Sequence, residues 1–176
     1  AKIGMGLYEV FICNNYGHYI SQHILDARED FALIGSSIIL NDGFNIPDGI
    51  AVSHDNRWIA VCNHYEHSVS LYKNIRSLNL QSKPNGILRA VKYPHGIRFS
   101  EDDRTILVTD AGAPFLLGYV SESGDWEGEY QPSINLRIMD ETTFERGHIN
   151  MEEGGAKGID FVNEFNIIAL TCEEQP

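Results

Sequence analysis

The stretch PDGIAVSHDNRWIAVCN, residues 47–63, recurs as PHGIRFSEDDRTILVTD at residues 94–110. The two segments align without a gap at an offset of 94 − 47 = 47 residues, and they share Pro-x-Gly-Ile at the start and Ser, Asp and Arg in the middle. A third copy, AKGIDFVNEFNIIALTC, begins at residue 156, and the first copy is recognisable only from its second half, around Cys13. Four imperfect copies of one pattern indicate a structural repeat.

Each copy contains short β-rich runs separated by polar turns. In the second copy, residues 49–53 precede the turn His-Asp-Asn-Arg, and the mostly apolar residues 58–62 follow it. A third strand is expected at residues 68–72, and β-compatible residues return near 87–91. Four strands in a repeat of this length are typical of a β-propeller blade, and no long segment has a 3.6-residue period that would indicate a helix.

The repeat therefore predicts an all-β fold, a partial β-propeller with four antiparallel strands in each blade. The predicted blades occupy residues 1–46, 47–93 and 94–139, and another begins at 156–176. About three blade equivalents leave the ring open, because a closed propeller needs roughly four to eight blades. We expect a fragment of a longer protein, because both ends interrupt a blade. Copies that associate to close the ring, or a compact non-propeller arrangement of the same strands, are the alternatives.

An insertion, residues 140–155, separates the last two units. Its sequence, DETTFERGHINMEEGG, is polar and acidic and ends in two glycines. Functional residues often lie on such loops, since a rigid scaffold can present them. We nevertheless interpret the insertion as a solvated loop.

Composition excludes several classes of function. The formal net charge is −12, which argues against nucleic-acid binding, because that needs clustered Lys and Arg. No window has the roughly 18 apolar residues of a transmembrane helix, so no membrane contact is expected. Three cysteines and the absence of an Asn-x-Ser/Thr site favour a reducing compartment and hence the cytoplasm. The chain begins at Ala1 rather than Met, which leaves a removed signal peptide open.

The segment VCNHYEHSVSLY, residues 61–72, contains a cysteine and two histidines that suggest a metal site or a thiol–imidazole pair. Its Cys-Asn-x-Tyr-x-His pattern also occurs at residues 13–18. Cys13 and Cys62 thus occupy equivalent positions, where the later copies carry Thr. We interpret them as small packed side chains, too far apart for a disulfide.

Histidines and strand-terminal polar residues recur after the same strand. His18, His64 and His67 either bind a transition metal or are exposed turn residues, and we favour the second interpretation. Asn14, Asn63 and Asp110 end their strands, where we expect side-chain-to-backbone hydrogen bonds that form turns. These six residues therefore carry no predicted chemistry.

The repeat resembles the blades of lactonase-type β-propellers, which include the gluconolactonase/regucalcin group, the seven-bladed bacterial lactonases and the NHL-type propellers. The resemblance rests on Pro-x-Gly-Ile, an apolar run, Ser, an acidic turn and a strand that ends in Asn or Asp. It covers most of the chain, but these motifs do not separate the three groups.

The residue before each repeat glycine is where this resemblance implies a site. In gluconolactonase-like propellers, Asp and Asn at this place, with a Glu from another blade, bind a catalytic divalent cation. Asp48 matches as a metal ligand and catalytic residue, for Ca²⁺, Mg²⁺, Mn²⁺ or Zn²⁺. His95 is then a second ligand or a general base. Lys157 departs from the pattern, and it would instead bind a substrate carboxylate or phosphate. No residue is identifiable as the Glu.

The implied reaction is metal-assisted hydrolysis of a sugar lactone, in which the cation polarises the carbonyl group and His95 or Asp48 relays protons. The alternative is a non-enzymatic propeller module that binds a protein or a small ligand on its open face. Lys157 favours this alternative, and the same residues would then line a wet channel. The sequence contains no Gly-rich phosphate loop, Gly-x-Ser-x-Gly, His-Glu-x-x-His or Cys-x-x-Cys motif.

Overall fold

The computed structural model describes residues 2–73, 75–162 and 167–173. These residues form short β-strands joined by turns, several 3₁₀ turns and a six-residue α-helix, α1 (Glu141–Arg146). The predicted all-β class is confirmed. The strands are β1 (Lys2–Gly4), β2 (Leu7–Asn14), β3 (Tyr19–Asp26), β4 (Ala32–Leu40), β5 (Pro47–Val52), β6 (Trp58–Asn63), β7 (Ser68–Lys73), β8 (Gly86–Leu88), β9 (Pro94–Phe99), β10 (Thr105–Asp110), β11 (Phe115–Val120), β12 (Gly128–Tyr130), β13 (Ile134–Arg137), β14 (Ala156–Val162) and β15 (Ile167–Cys172).

Within the described residues, the strands form four small sheets, and none of them is closed on itself. Their strand orders are β1-β2-β3-β4, β12-β8-β7-β6-β5, β13-β11-β10-β9 and β14-β15. Strand β12 leaves its own unit and pairs in parallel with β8 of the preceding sheet. Trp126, which lies just before β12, is buried in the core between these two sheets. Its burial there places β12 beside β8. The propeller arrangement itself stays a prediction.

Strand β6 shows how the sheets stack. All six of its residues are buried, and alternate side chains point to opposite faces of a strand. Ala60 and Cys62 join the core shared with the sheet of β9–β11 and β13. Ile59 and Val61 join the core shared with the sheet of β1–β4. The second sheet is therefore covered on both faces, which explains the continuous apolar run in the sequence.

The hairpins β5–β6, β9–β10 and β14–β15 share one register. We call the first strand of each hairpin, β5, β9 or β14, the inner strand. Its first residue pairs with the last residue of the following strand, and a bulge follows at the residue before the glycine. Strand β9 packs between β5 and β14. The repeated register therefore places residues 48, 95 and 157 at equivalent points of three neighbouring inner strands.

The repeat glycines permit this close packing of backbones, because a residue without a Cβ atom lets another backbone approach closely. A Cβ atom on Gly49 would lie 1.9 Å from the carbonyl oxygen of His95. A Cβ atom on Gly96 would lie 2.4 Å from the carbonyl oxygen of Lys157. Each glycine thus lets the next inner strand approach directly beside the candidate site.

Apolar side chains remain exposed at the outer sheets. Among the described residues, β15 pairs only with β14, and Ile167 and Ile168 are 53% and 38% exposed. No helix in the part of the chain that the structure describes is long and apolar enough to span a membrane.

Candidate functional site

Asp48 and His95 meet at the start of two neighbouring inner strands. Nε2 of His95 lies 3.0 Å from Oδ2 of Asp48. The second carboxylate oxygen, Oδ1, accepts a hydrogen bond of 3.0 Å from Nδ2 of Asn15. Both side chains are mostly buried, with 19% of Asp48 and 29% of His95 exposed. The structure therefore joins the two residues in one ion-pair contact beside solvent.

His64 lies next to this pair, and the expectation that it is an exposed turn residue is wrong. Its side chain is only 4% exposed, because it turns inward from the 3₁₀ turn that follows β6. Nε2 of His64 lies 2.9 Å from Oε1 of Glu153, and its ring meets the ring of His95 edge-on at 6.0 Å. Nδ1 of His64 lies 3.9 Å from Oδ2 of Asp48.

The insertion brings Glu153 into the site, so its last residues are not the solvated loop that we expected. The Glu153 side chain is 9% exposed. Ala111 occupies the position that His64 occupies in the preceding unit. The amide of Gly155 donates a hydrogen bond of 2.8 Å to the carbonyl of Ala111, which secures the end of the insertion there.

Lys157 does not contact Asp48 or His95 directly. Its ammonium group lies 3.0 Å from Oε2 of Glu153 and 2.7 Å from Oε2 of Glu173. Glu153 also contacts His64, so a continuous chain of polar contacts links Lys157 to the Asp48–His95 pair. All three predicted site residues thus belong to one cluster.

Asn15, His64, Glu153 and Glu173 were missed as functional residues. Three of them occupy equivalent positions of the repeat, because 48 + 16 = 64 and 157 + 16 = 173. Asn15 precedes His64 by 64 − 15 = 49 residues, the separation of Cys13 from Cys62. The offset of 16 from residue 95 reaches Ala111. This spacing was a signal that could have identified these positions. Glu153 lies in the insertion, outside the repeat, and no signal in the sequence points to it.

Buried polar residues at the strand ends hold the site in place. The Asp110 carboxylate accepts hydrogen bonds from the amides of Lys92, Tyr93 and Gly112 at 2.9–3.0 Å. Asn63 likewise accepts from the amide of Asn45 at 2.7 Å. The expected side-chain-to-backbone bonds are present, but their main targets are the segments that enter the inner strands. Asp110 therefore positions the loop that leads to His95.

Electrostatics prepare His95 to act as a base. Burial, the largest influence, lowers the pKa of His95 below its ordinary value of 6.5. Asp48 acts in the opposite direction, and the neighbouring His64 and Lys157 lower it further. The lowered pKa favours the neutral imidazole at pH 7.

The charges of Glu153 and Lys157 stabilise each other. Burial, the largest influence, raises the pKa of Glu153, but the hydrogen bonds to Lys157 and His64 and the charges of both residues outweigh it, so its pKa lies below 4.5. Burial likewise lowers the pKa of Lys157, but the bonds to Glu173 and Glu153 outweigh it, so its pKa lies above 10.5. Both groups are charged at neutral pH.

The cluster does not fit a metal ion in this geometry. No group of three or more His, Cys, Asp or Glu residues suited to holding one occurs in residues 2–73, 75–162 and 167–173. Both oxygens of Asp48 already accept hydrogen bonds or ion-pair contacts. The role of Asp48 as a metal ligand stays a prediction, and no step below passes through a cation.

The remaining cysteines and histidines serve the fold. Cys13 and Cys62 are free thiols, and burial raises the pKa of Cys13 to about 12 and that of Cys62 well above its ordinary value. His18 and His67 are exposed at their turns, as expected. Their rings bond to backbone groups, the amide of Ile46 and the carbonyl of Lys92.

Comparison with known proteins shows similarity at the level of structure. No protein-family profile and no curated protein matches the sequence. Hydrazine synthase from Kuenenia stuttgartiensis superposes with a TM-score of 0.55 and 19% identity over 92% of this chain. A luciferin-regenerating enzyme superposes with a TM-score of 0.57 and 13% identity over 88%. A candidate 6-phosphogluconolactonase from Bacteroides fragilis superposes with a TM-score of 0.60 and 10% identity over 94%.

The chain spans only 38–44% of the length of these three proteins. At such low identity the likeness concerns the fold, since one fold hosts many unrelated functions. The β-rich fold of this chain is therefore one that it shares with a lactonase-related protein and with other enzymes.

Proposed function

We propose that this chain is part of a lactonase-like β-propeller that hydrolyses an uncharged sugar lactone, with His95 as general base. The close contact of 3.0 Å between Nε2 of His95 and Oδ2 of Asp48 carries the proposal. A carboxylate that accepts one imidazole proton fixes the tautomer and orientation of the ring, and the other nitrogen is then free to take a proton from water.

The reaction proceeds by addition and elimination. Nδ1 of His95 takes a proton from water while the water oxygen forms a bond to the lactone carbonyl carbon. The carbonyl electron pair moves to oxygen and gives a tetrahedral oxyanion. When the carbonyl re-forms, the ring C–O bond breaks, and the imidazolium returns its proton to the leaving alkoxide. The product is an open hydroxy acid.

Lys157 supplies a donor to the oxyanion. An ammonium group carries three N–H donors, and two of them meet Glu153 and Glu173. The third is available for the charge that develops on the carbonyl oxygen. Glu153 orients Lys157 and also bonds His64, so it is a positioning residue that links both sides of the cluster.

The charges support an uncharged substrate rather than the anionic one first inferred from Lys157. Three carboxylates, those of Asp48, Glu153 and Glu173, surround a single ammonium group within the cluster. An anionic substrate would approach against their field, whereas the carboxylate product would be repelled once it forms. Sugar hydroxyl groups can donate hydrogen bonds to the same carboxylates.

Hydrolysis of glucono-1,5-lactone, followed by acid release in a pH-stat with EDTA present, tests the proposal. We expect turnover by the wild-type chain and a loss of at least about 100-fold in kcat for His95→Gln. His54→Gln is the matched control, because Nδ1 of His54 makes a similar contact of 3.1 Å to Asp103 at a turn outside the cluster. Equal rates for wild type and His95→Gln would refute the proposal.

The exposed edge of β15 supports a ring that further β-sheets complete. Unpaired, apolar edge strands promote association, and the described part of the chain leaves Ile167 and Ile168 on this edge exposed. Light scattering on the purified chain tests whether second copies of the chain supply the sheets that complete the ring. A dimer or larger closed assembly would place them in second copies, whereas a monomer that folds stably would contradict self-association.

A non-enzymatic module that binds a protein or a small ligand is the second candidate, because the same exposed edge offers a surface for another chain. Capture of the lactone without turnover, or inactivity towards all lactones with intact folding, would favour it over the hydrolase.

A further inference from the structure

Four aromatic rings form a continuous group beside the Asp48–His95 pair. Tyr65 follows His64 in the 3₁₀ turn after β6, and its ring meets the His64 ring edge-on at 5.2 Å. Tyr93 lies two residues before His95, and its ring is 5.1 Å from that of His64. His67 completes the group at 4.9 Å from Tyr93. The proposed base is thus bordered by aromatic side chains on one side.

The two tyrosines form a corner. Their ring centroids are 6.0 Å apart, and their planes are nearly perpendicular, at 89°. Tyr93 is held rigidly, because its amide bonds to Asp110 and its ring packs on the backbone of Gly112. Tyr65 is 39% exposed, whereas its neighbour His64 is buried. The corner therefore presents an ordered aromatic surface to solvent.

Tyr16 provides an internal comparison. It occupies the position equivalent to Tyr65 in the first unit, one residue after Asn15. Tyr16 is 89% exposed, and no aromatic ring contact to it occurs among the described residues. The turn by itself therefore does not require a packed tyrosine, and the corner is particular to the neighbourhood of His95.

We infer that Tyr65 and Tyr93 bind the ring of a pyranose-type substrate and set specificity for a cyclic sugar over an open-chain polyol. An aromatic face carries negative charge density, which attracts the slightly positive C–H groups on the flat face of a sugar ring. The carboxylates of Asp48 and Glu153 lie close by to accept hydrogen bonds from the hydroxyl groups on its edge. This inference rests on the proposed function for its substrate class.

An open-chain polyol carries the same hydroxyl groups but presents no rigid C–H face. It also loses conformational freedom when it binds. The corner therefore discriminates between the lactone and its hydrolysed product by shape, while the carboxylates discriminate between them by charge. Both effects favour release of the open product.

Binding is measured by NMR of the tyrosine ring resonances during titration with methyl glucopyranoside, a ring without a hydrolysable lactone bond, and with glucitol. We expect shifts of the Tyr65 and Tyr93 resonances and tighter binding of the pyranoside. Tyr65→Leu and Tyr93→Leu should weaken pyranoside binding about 2- to 12-fold, as expected for loss of about 0.5–1.5 kcal/mol of aromatic interaction. Tyr65→Phe and Tyr93→Phe should stay within about twofold, because the ring remains.

Tyr16→Leu is the matched control, and it should leave the dissociation constant unchanged. The same spectra report folding. If Tyr93→Leu unfolds, pyranoside binding by Tyr65→Leu, a change at a more exposed residue, decides whether the corner binds the sugar ring. Unchanged pyranoside binding in Tyr65→Leu, an equal loss in Tyr16→Leu, or no pyranoside binding by the wild type would overturn the inference.

Hydrolysis assays separate this inference from the proposed function. Pyranoside binding through the two tyrosines without lactone turnover would refute the hydrolase and retain the sugar-binding corner. Lactone turnover with an unchanged KM in Tyr65→Leu would refute the corner and retain the hydrolase.

Discussion

Nε2 of His95 lies 3.0 Å from Oδ2 of Asp48, although 95 − 48 = 47 residues separate them in the sequence. The separation equals one repeat, so the two residues occupy the same position of neighbouring inner strands. Their side chains meet because Gly49 lets the backbone of His95 approach to a distance that any Cβ atom would block. The pairing is thus a product of the repeat geometry, and its consequences for activity can be measured.

The acid limb of the pH profile should report His95. A general base is active when neutral, so kcat/KM is expected to rise with pH and to level off near pH 7, with a midpoint below 6.5. Asp48 raises the pKa of His95 and Lys157 lowers it. Asp48→Asn should therefore move the midpoint to lower pH, and Lys157→Met should move it to higher pH. Shifts in the same direction for both variants would contradict this assignment.

The carboxylates of the cluster should discriminate against charged substrates. We expect kcat/KM for 6-phosphogluconolactone to be at least about tenfold below that for gluconolactone, which corresponds to about 1.4 kcal/mol of repulsion. Glu153→Gln should bring the kcat/KM values for the two lactones closer together, because it removes one negative charge. Added salt should have the same effect, because it screens the charges. Glu145→Gln, a change on helix α1 where the side chain is 60% exposed, serves as the control. A higher kcat/KM for the phosphorylated lactone would show that the carboxylates do not discriminate against charged substrates.

Asp110→Ala should destabilise the fold and displace His95. Asp110 is 3% exposed, and its loss leaves three backbone amides without their acceptor. Each unsatisfied buried donor costs about 1–3 kcal/mol, and the Gly112 amide is the fully buried one of the three, so we expect the free energy of unfolding to fall by about 1–3 kcal/mol in urea titrations. Asp102→Ala, at an exposed turn with similar local bonds, should cost less than about 1 kcal/mol. Equal losses would show that Asp110 has no special structural role.

Divalent cations should not stabilise the chain selectively. A ligand that binds only the folded state raises its stability by about 2.7 kcal/mol at a hundredfold excess over Kd, which thermal unfolding detects. We expect no cation-specific rise in Tm with Ca²⁺, Mg²⁺, Mn²⁺ or Zn²⁺, because Asn15 already donates a hydrogen bond to one oxygen of Asp48 and His95 contacts the other. A rise that disappears in Asp48→Ala would instead restore Asp48 as a metal ligand and require a metal-assisted reaction.

The all-β class and the strands of the second unit could be predicted from sequence, because short apolar runs and the polar turns between them are local signals. The repeat glycine also predicted which residues, Asp48, His95 and Lys157, share a position. The structure gives the physical reason for the glycine, since only a residue without a Cβ atom fits beside the neighbouring carbonyl group.

The partners of these residues were decided by the tertiary structure. His64 has the local sequence of an exposed turn, yet it is buried because the neighbouring unit and Glu153 cover it. Glu153 enters the site from an insertion with no repeat counterpart. Sequence alone thus determined the strands and the column of residues that face the site. Which side chains contact one another, and with what charge, depended on how the sheets stack, because those contacts join residues that are far apart in the chain.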